Sequence, residues 1–124
     1  MNKWLCLIVG SIAGGLARYL FAGVVSERFG ARFPYGTLLV NVSGCLLIGI
    51  FNSLAEEKFL LGVNERILLM TGFCGAYTTF STLILETSNL VKNGELGLGL
   101  LNLGVSIGAG FILFRLGELM GRVI

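Results

Sequence analysis

The stretch from Tyr35 to Ala55 contains no charged residue. A helix that crosses a hydrocarbon core of ~30 Å needs about 20 mainly apolar residues, and this stretch supplies them. Three further segments share its character. Trp4 to Val25 is interrupted only by Arg18, Ile67 to Val91 carries Glu86 near its end, and Leu96 to Leu116 carries Arg115 near its end. In lipid the backbone groups of a spanning segment must be satisfied internally, which a helix does. The chain therefore reads as an all-α membrane protein with four transmembrane helices, over residues 4–25, 35–55, 67–91 and 96–116, in a single domain spanning 1–124.

Composition supports this reading. Charged residues make up 13% and hydrophobic ones 55%, whereas soluble domains carry about 25% charged residues. The connections Ser26 to Pro34, Glu56 to Arg66 and Lys92 to Glu95 are short and polar, with no room for a soluble domain. Pro34 marks the start of the second helix, where proline is tolerated. Lys3 before an apolar run resembles a signal peptide, but no small-x-small site closes the run convincingly and more spans follow, so we read it as an uncleaved first helix.

Several function classes are disfavoured. The net charge of +2 is spread along the chain and suggests no nucleic-acid face. There is no histidine, and Cys6, Cys45 and Cys74 are isolated in apolar runs. Histidine-based acid–base catalysis, nucleophile–base pairs and cysteine–histidine metal clusters are thereby disfavoured, and we expect no enzyme. No phosphate-binding G-x-x-x-x-G-K-[ST] motif occurs.

An even number of helices puts both termini on one side. Lys3, Lys58, Arg66, Arg115 and Arg122 fall on that side; Arg28, Arg32 and Lys92 fall on the other, with Arg18 buried towards it. Lysine and arginine asymmetry orients membrane proteins, and here it amounts to about one charge. A weakly determined single orientation and insertion in both orientations are both consistent with that count. Nineteen glycines, with Gly10-x-x-x-Gly14, Gly104-x-x-x-Gly108 and Ser106-x-x-x-Gly110 spacings, predict close helix packing within or between subunits.

The third segment carries Gly72-Phe73-Cys74-Gly75-Ala76-Tyr77-Thr78-Thr79-Phe80-Ser81-Thr82 in its middle. Glycine weakens a helix through backbone entropy, and hydroxyls compete for backbone hydrogen bonds. We expect this helix to be broken near its middle, a geometry tolerated at membrane depth only where protein or a water-filled cavity satisfies the freed groups.

Polar residues at membrane depth usually face the protein interior. Thr37 and Asn41, Thr82 and Glu86, and Asn102 and Ser106 are each four apart, so each pair shares a helix face. Three polar stripes on three helices form a candidate track through the membrane. Hydroxyls and amides without a dense set of carboxylates suit an anion or a neutral solute. Asn41 alone reads equally as glue between helices. Arg18 reads either as a side chain snorkelling to the headgroups or as a fixed positive charge at a pore mouth. Phe80, between Thr79 and Ser81, either fills space or turns a positive ring edge to an anion.

On three stretches the chain resembles the Fluc/CrcB fluoride channel family: Gly14-Gly15-Leu16-Ala17-Arg18-Tyr19, Gly36-Thr37-Leu38-Leu39-Val40-Asn41, and Gly72 to Thr82. The resemblance implies a dual-topology protein that assembles as an antiparallel homodimer with two pores. It implies that Asn41 contacts fluoride and that Phe80 meets the ion edge-on. Ser81, Thr82, Asn102 and Ser106 would form the polar track, and Arg18 would sit near the aqueous vestibule. It also implies one buried sodium ion at the dimer axis, held by the carbonyls of Gly75 and Thr78 from both subunits. The sequence departs from the family pattern at Leu83, where a second phenylalanine is usual, and at Gly75-Ala76-Tyr77, where Gly-Gly-Leu is usual.

The resulting expectation is a channel that passively exports fluoride through a bacterial inner membrane, with Thr37 and Glu86 also on the ion path. Two alternatives stand beside it. One is a small dual-topology, proton-coupled exporter of cations, which would need Glu86 as its central carboxylate. The other is a non-transporting assembly subunit, in which the polar residues serve only as glue.

Overall fold

A computed structural model describes residues 2–124, which are helical apart from the connections. Helix α1 is Lys3–Phe29, α2 is Tyr35–Glu56 and α6 is Leu96–Val123. Between α2 and α6 the chain runs through α3 (Val63–Arg66), a π-helical segment Ile67–Cys74, α4 (Gly75–Tyr77) and α5 (Phe80–Lys92). Among the described residues, four helical stretches, with Val63–Lys92 taken as one, are long and apolar enough to cross a membrane.

Local chemistry sets the ends. The Asn2 side chain caps α1 by accepting the Leu5 N–H at 2.8 Å, an orphan donor of the first turn. Gly30 ends α1 with φ +85°, a conformation that glycine adopts without a Cβ penalty. Gly94, at φ +79°, does the same between α5 and α6. Three helical stretches overrun the sequence expectation: α1 continues past Val25, the third starts before Ile67, and α6 continues past Leu116. One reason is that charges near the ends find partners along the helix. Arg115 pairs with Glu118 at 2.9 Å, one turn further on.

The main contacts are α2 on α6 and α1 on the π-helical segment. Both rest on glycine. A Cβ at Gly49 would lie 2.2 Å from the Phe114 carbonyl, and one at Gly117 would lie 2.2 Å from the Leu46 carbonyl. Gly10 and Gly14 stand in the same relation to the Leu68 and Phe73 carbonyls, each at 2.2 Å. The backbones thus touch directly, the contact that small residues permit in lipid. The Gly104 and Gly108 positions, by contrast, meet nothing within 4 Å. Outward faces are apolar, with Trp4, Ile12, Leu20, Leu100, Ile107 and Phe111 all exposed, as a lipid-facing surface requires.

The buried side chains of the core include polar ones: Ser53, Thr87, Asn102, Ser106 and Glu118. Glu118 differs from expectation. It lies within α6 and is buried against α2, where Asn52 Nδ2 donates to it at 3.2 Å and Arg115 at 2.9 Å. Glu118 is thus a buried carboxylate on the part of α6 that extends beyond the 96–116 segment.

Candidate functional site

The site is organised by two extended residues, Thr78 (φ −94°, ψ 156°) and Thr79 (φ −150°, ψ 112°), which separate α4 from α5. Extended backbone removes their groups from the helical ladder, so other partners must be found. Asn41 on α2 supplies two. Its Oδ1 accepts the Thr79 N–H at 2.7 Å, and its Nδ2 donates to the Thr79 carbonyl at 3.1 Å. Thr79 then caps α5, its Oγ1 accepting the Thr82 N–H at 3.3 Å. Upstream, the Cys74 carbonyl accepts both the N–H of Thr78 at 3.1 Å and its Oγ1 at 2.9 Å. Arg18 reaches from α1 and donates its Nε to the Ala76 carbonyl at 3.0 Å.

Two clefts flank this strut. The first, of about 520 Å³, is lined by Arg18, Thr37, Thr79, Thr82 and Glu86 among others. Across it the Thr37 hydroxyl donates to Glu86 Oε1. The second, of about 300 Å³, is lined by Asn41, Gly75, Thr78, Phe80, Leu83 and Ser106 among others. Thr79 lines both. The residues read from sequence thus fall into two groups rather than one track.

Two fall outside both clefts. Ser81 is exposed, with its Oγ 3.4 Å from Thr79 Oγ1. Asn102 is fully buried between α5 and α6, where its Nδ2 donates to Thr87 Oγ1 at 3.0 Å, and the Thr87 hydroxyl donates onward to the Leu83 carbonyl at 2.7 Å. Asn102 thus ties two helices together in this chain. Phe80 is 74% exposed and Leu83 only 6%, so the two side chains one turn apart on α5 differ in environment. Asn41 spends one of its two amide N–H groups on Thr79 and keeps the other. Arg18 likewise spends one of its five N–H donors on Ala76.

Sequence reasoning missed Thr79, Tyr77, Ser43 and Thr87 as contributors. Tyr77 is buried, stacks on Phe73 with ring centres 5.5 Å apart, and shares a hydrogen bond of 2.9 Å with Ser43. A tyrosine in an otherwise apolar helix is a signal in itself, because its hydroxyl needs a partner when buried.

Similarity to other proteins bears directly on this arrangement. The family model described as CrcB-like protein, Camphor Resistance (CrcB), matches residues 5–118. A protein of Maridesulfovibrio salexigens named fluoride-specific ion channel FluC is 43% identical over 124 residues, covering 100% of this chain and 98% of its own length. Proteins of the same name from Methylocella silvestris and Trichormus variabilis are 41% and 47% identical, covering 98% and 87% of this chain and 91% and 85% of their own lengths. The chain belongs to the CrcB family.

Proposed function

We propose that this protein is a fluoride-specific ion channel that lets fluoride leave the cytoplasm passively across a bacterial inner membrane. The observation that carries the reading is the match along almost the whole chain to relatives that bear that name. The geometry supports it. Hydroxyls, one free amide N–H and arginine N–H groups converge on two clefts inside apolar helices. Such fixed donors can replace the shell of a strongly hydrated anion.

On this reading Arg18, Thr37, Thr82 and Glu86 line the vestibule side of the path. Asn41, Phe80 and Ser106 line the inner side, Ser81, exposed outside both clefts, would join the path only where a second copy covers α5, and Asn102 holds α5 and α6 in register behind them. The working unit is an antiparallel homodimer whose chains insert in both orientations. The exposure of Phe80 and of Gly75 supports it, because both sit on a face that a second copy would cover.

We further propose one structural sodium ion at the dimer axis, held by the Gly75 and Thr78 carbonyls of two chains. Carbonyl oxygens freed from a discontinuous helix are suitable ligands for such an ion. The residues fit: the amides that a continuous helix would send to these two carbonyls, those of Thr79 and Thr82, are engaged elsewhere. The ion would cross-link the two subunits.

The exporter alternative gains no support, since Glu86, the carboxylate it would need, is engaged by Thr37, and the buried Glu118 by Asn52 and Arg115. Fluoride efflux from liposomes holding the purified protein tests the proposal. Fluoride-selective efflux is expected; no efflux, or equal passage of chloride, would overturn it.

A further inference from the structure

Two of the amides diverted from the helical ladder meet at one residue, Thr79. In a continuous α-helix the N–H of Thr79 would bond the Gly75 carbonyl, and that of Thr82 would bond the Thr78 carbonyl, each four residues back. Here the first goes to Asn41 Oδ1 at 2.7 Å and the second to Thr79 Oγ1 at 3.3 Å. The carbonyls of Cys74 and Ala76, by contrast, are occupied, by Thr78 and by Arg18. The extended threonines also part the Tyr77 carbonyl from the Ser81 amide. The losses at Gly75 and Thr78, however, both run through Thr79, which holds the one amide back through Asn41 and takes the other on its own hydroxyl.

We infer that Thr79 is a positioning residue for the cation site. Its clasped amide and its hydroxyl keep the Gly75 and Thr78 carbonyls out of helical hydrogen bonding and so open to a hard cation. The inference rests on the sodium reading above. Threonine suits the role for two reasons. Its hydroxyl accepts a first-turn amide at a helix start, and its branched Cβ favours extended backbone. Thr79 also lines both clefts, so anion path and cation site share a residue. Asn41 belongs to the same device, because its Oδ1 is the acceptor that diverts the Thr79 amide.

The test compares Thr79→Val, which keeps the shape and loses the hydroxyl, with Thr79→Ser, which keeps the hydroxyl. The dimer fraction of the purified protein is followed as sodium replaces N-methylglucamine at constant ionic strength. Thr79→Ser is expected to match the wild type. Thr79→Val is expected to need about tenfold more sodium and to regain the wild-type dimer fraction at saturation, as linkage requires when an ion binds the assembled state. A purely structural defect would persist at saturating sodium. An unshifted midpoint for Thr79→Val beside a sodium-dependent wild type overturns the inference alone, as does a loss that sodium does not restore in a folded variant. A wild-type dimer indifferent to sodium overturns the sodium reading and this inference with it. Should Thr79→Val fail to fold, Asn41→Leu, which releases the Thr79 amide, is held to the same shift.

Discussion

Arg18 donates its Nε to the carbonyl of Ala76, 58 residues away in sequence, at 3.0 Å. A charged group about three turns before the end of α1 thereby fastens α1 to the short helix α4, just ahead of the extended threonines. Arg18 combines a backbone anchor with a place on the cleft wall, since one donor is used on Ala76 and others remain.

Replacing Arg18 separates those duties. Arg18→Lys keeps the charge and loses the planar fork, so the Ala76 carbonyl loses its donor. We expect a stability loss of about 1–2 kcal/mol, the upper range for interhelical hydrogen bonds in membranes, together with slowed fluoride efflux. Arg18→Gln is expected to slow efflux further, because it removes the charge as well. Equilibrium unfolding in detergent and liposome efflux read the two effects independently.

The glycine contacts make a sharper stability prediction. Gly117→Ala places a methyl group 2.2 Å from the Leu46 carbonyl, and Gly14→Ala does so against the Phe73 carbonyl. Backbone has to move in both cases, at a cost of about 1–3 kcal/mol or more. Gly15→Ala, where nothing lies within 4 Å, should unfold like the wild type. Thermal melting of the three variants in one detergent checks the contrast.

Phe80 and Leu83 both line the inner cleft, Phe80 as an exposed aromatic ring and Leu83 as a buried aliphatic side chain. If the ring edge carries fluoride, Phe80→Leu should lower efflux by about tenfold or more, equivalent to about 1.4 kcal/mol on the barrier. Leu83→Ala should act differently. It empties a packed position and costs about 2–5 kcal/mol of stability, with fluoride selectivity retained in the folded fraction. Efflux per folded protein distinguishes the two.

Glu118 offers a test away from the path. Glu118→Ala leaves the half-buried Asn52 without its partner, for an expected loss of about 1 kcal/mol or more. Glu118→Gln keeps an acceptor for Asn52 and should lose less. Unfolding midpoints of the two variants give the comparison, and fluoride selectivity should be unchanged in both.

Some of this was legible from the residues alone. The uncharged run from Tyr35 to Ala55 announces a spanning helix because nothing else in lipid satisfies a backbone of that length. The glycine and hydroxyl content of Gly72 to Thr82 announces a disturbance. Its position within that stretch was not legible. Thr78 and Thr79 are identical side chains, and which of them caps α5 depends on Asn41, 38 residues away. The sequence segment 96–116, with Arg115 near its end, stops short of Glu118, whereas α6 runs on through it to Val123. A pair one turn apart on α6, with Asn52 facing it from α2, accommodates both charges inside the helix. The π-helical stretch was also invisible, since Ile67 to Cys74 is an ordinary apolar run and a shift of hydrogen-bond register leaves no compositional trace.

That stretch has a bearing on everything after it. A π-helix bonds residues five apart and so turns less per residue than an α-helix. Ile67–Cys74 therefore fixes the compass bearing at which Gly75 and the residues that follow leave the helix axis. The direction in which the Gly75 carbonyl points is inherited from eight residues of which none is a proposed ligand. A one-residue deletion there would redirect the whole site while leaving every site residue in place.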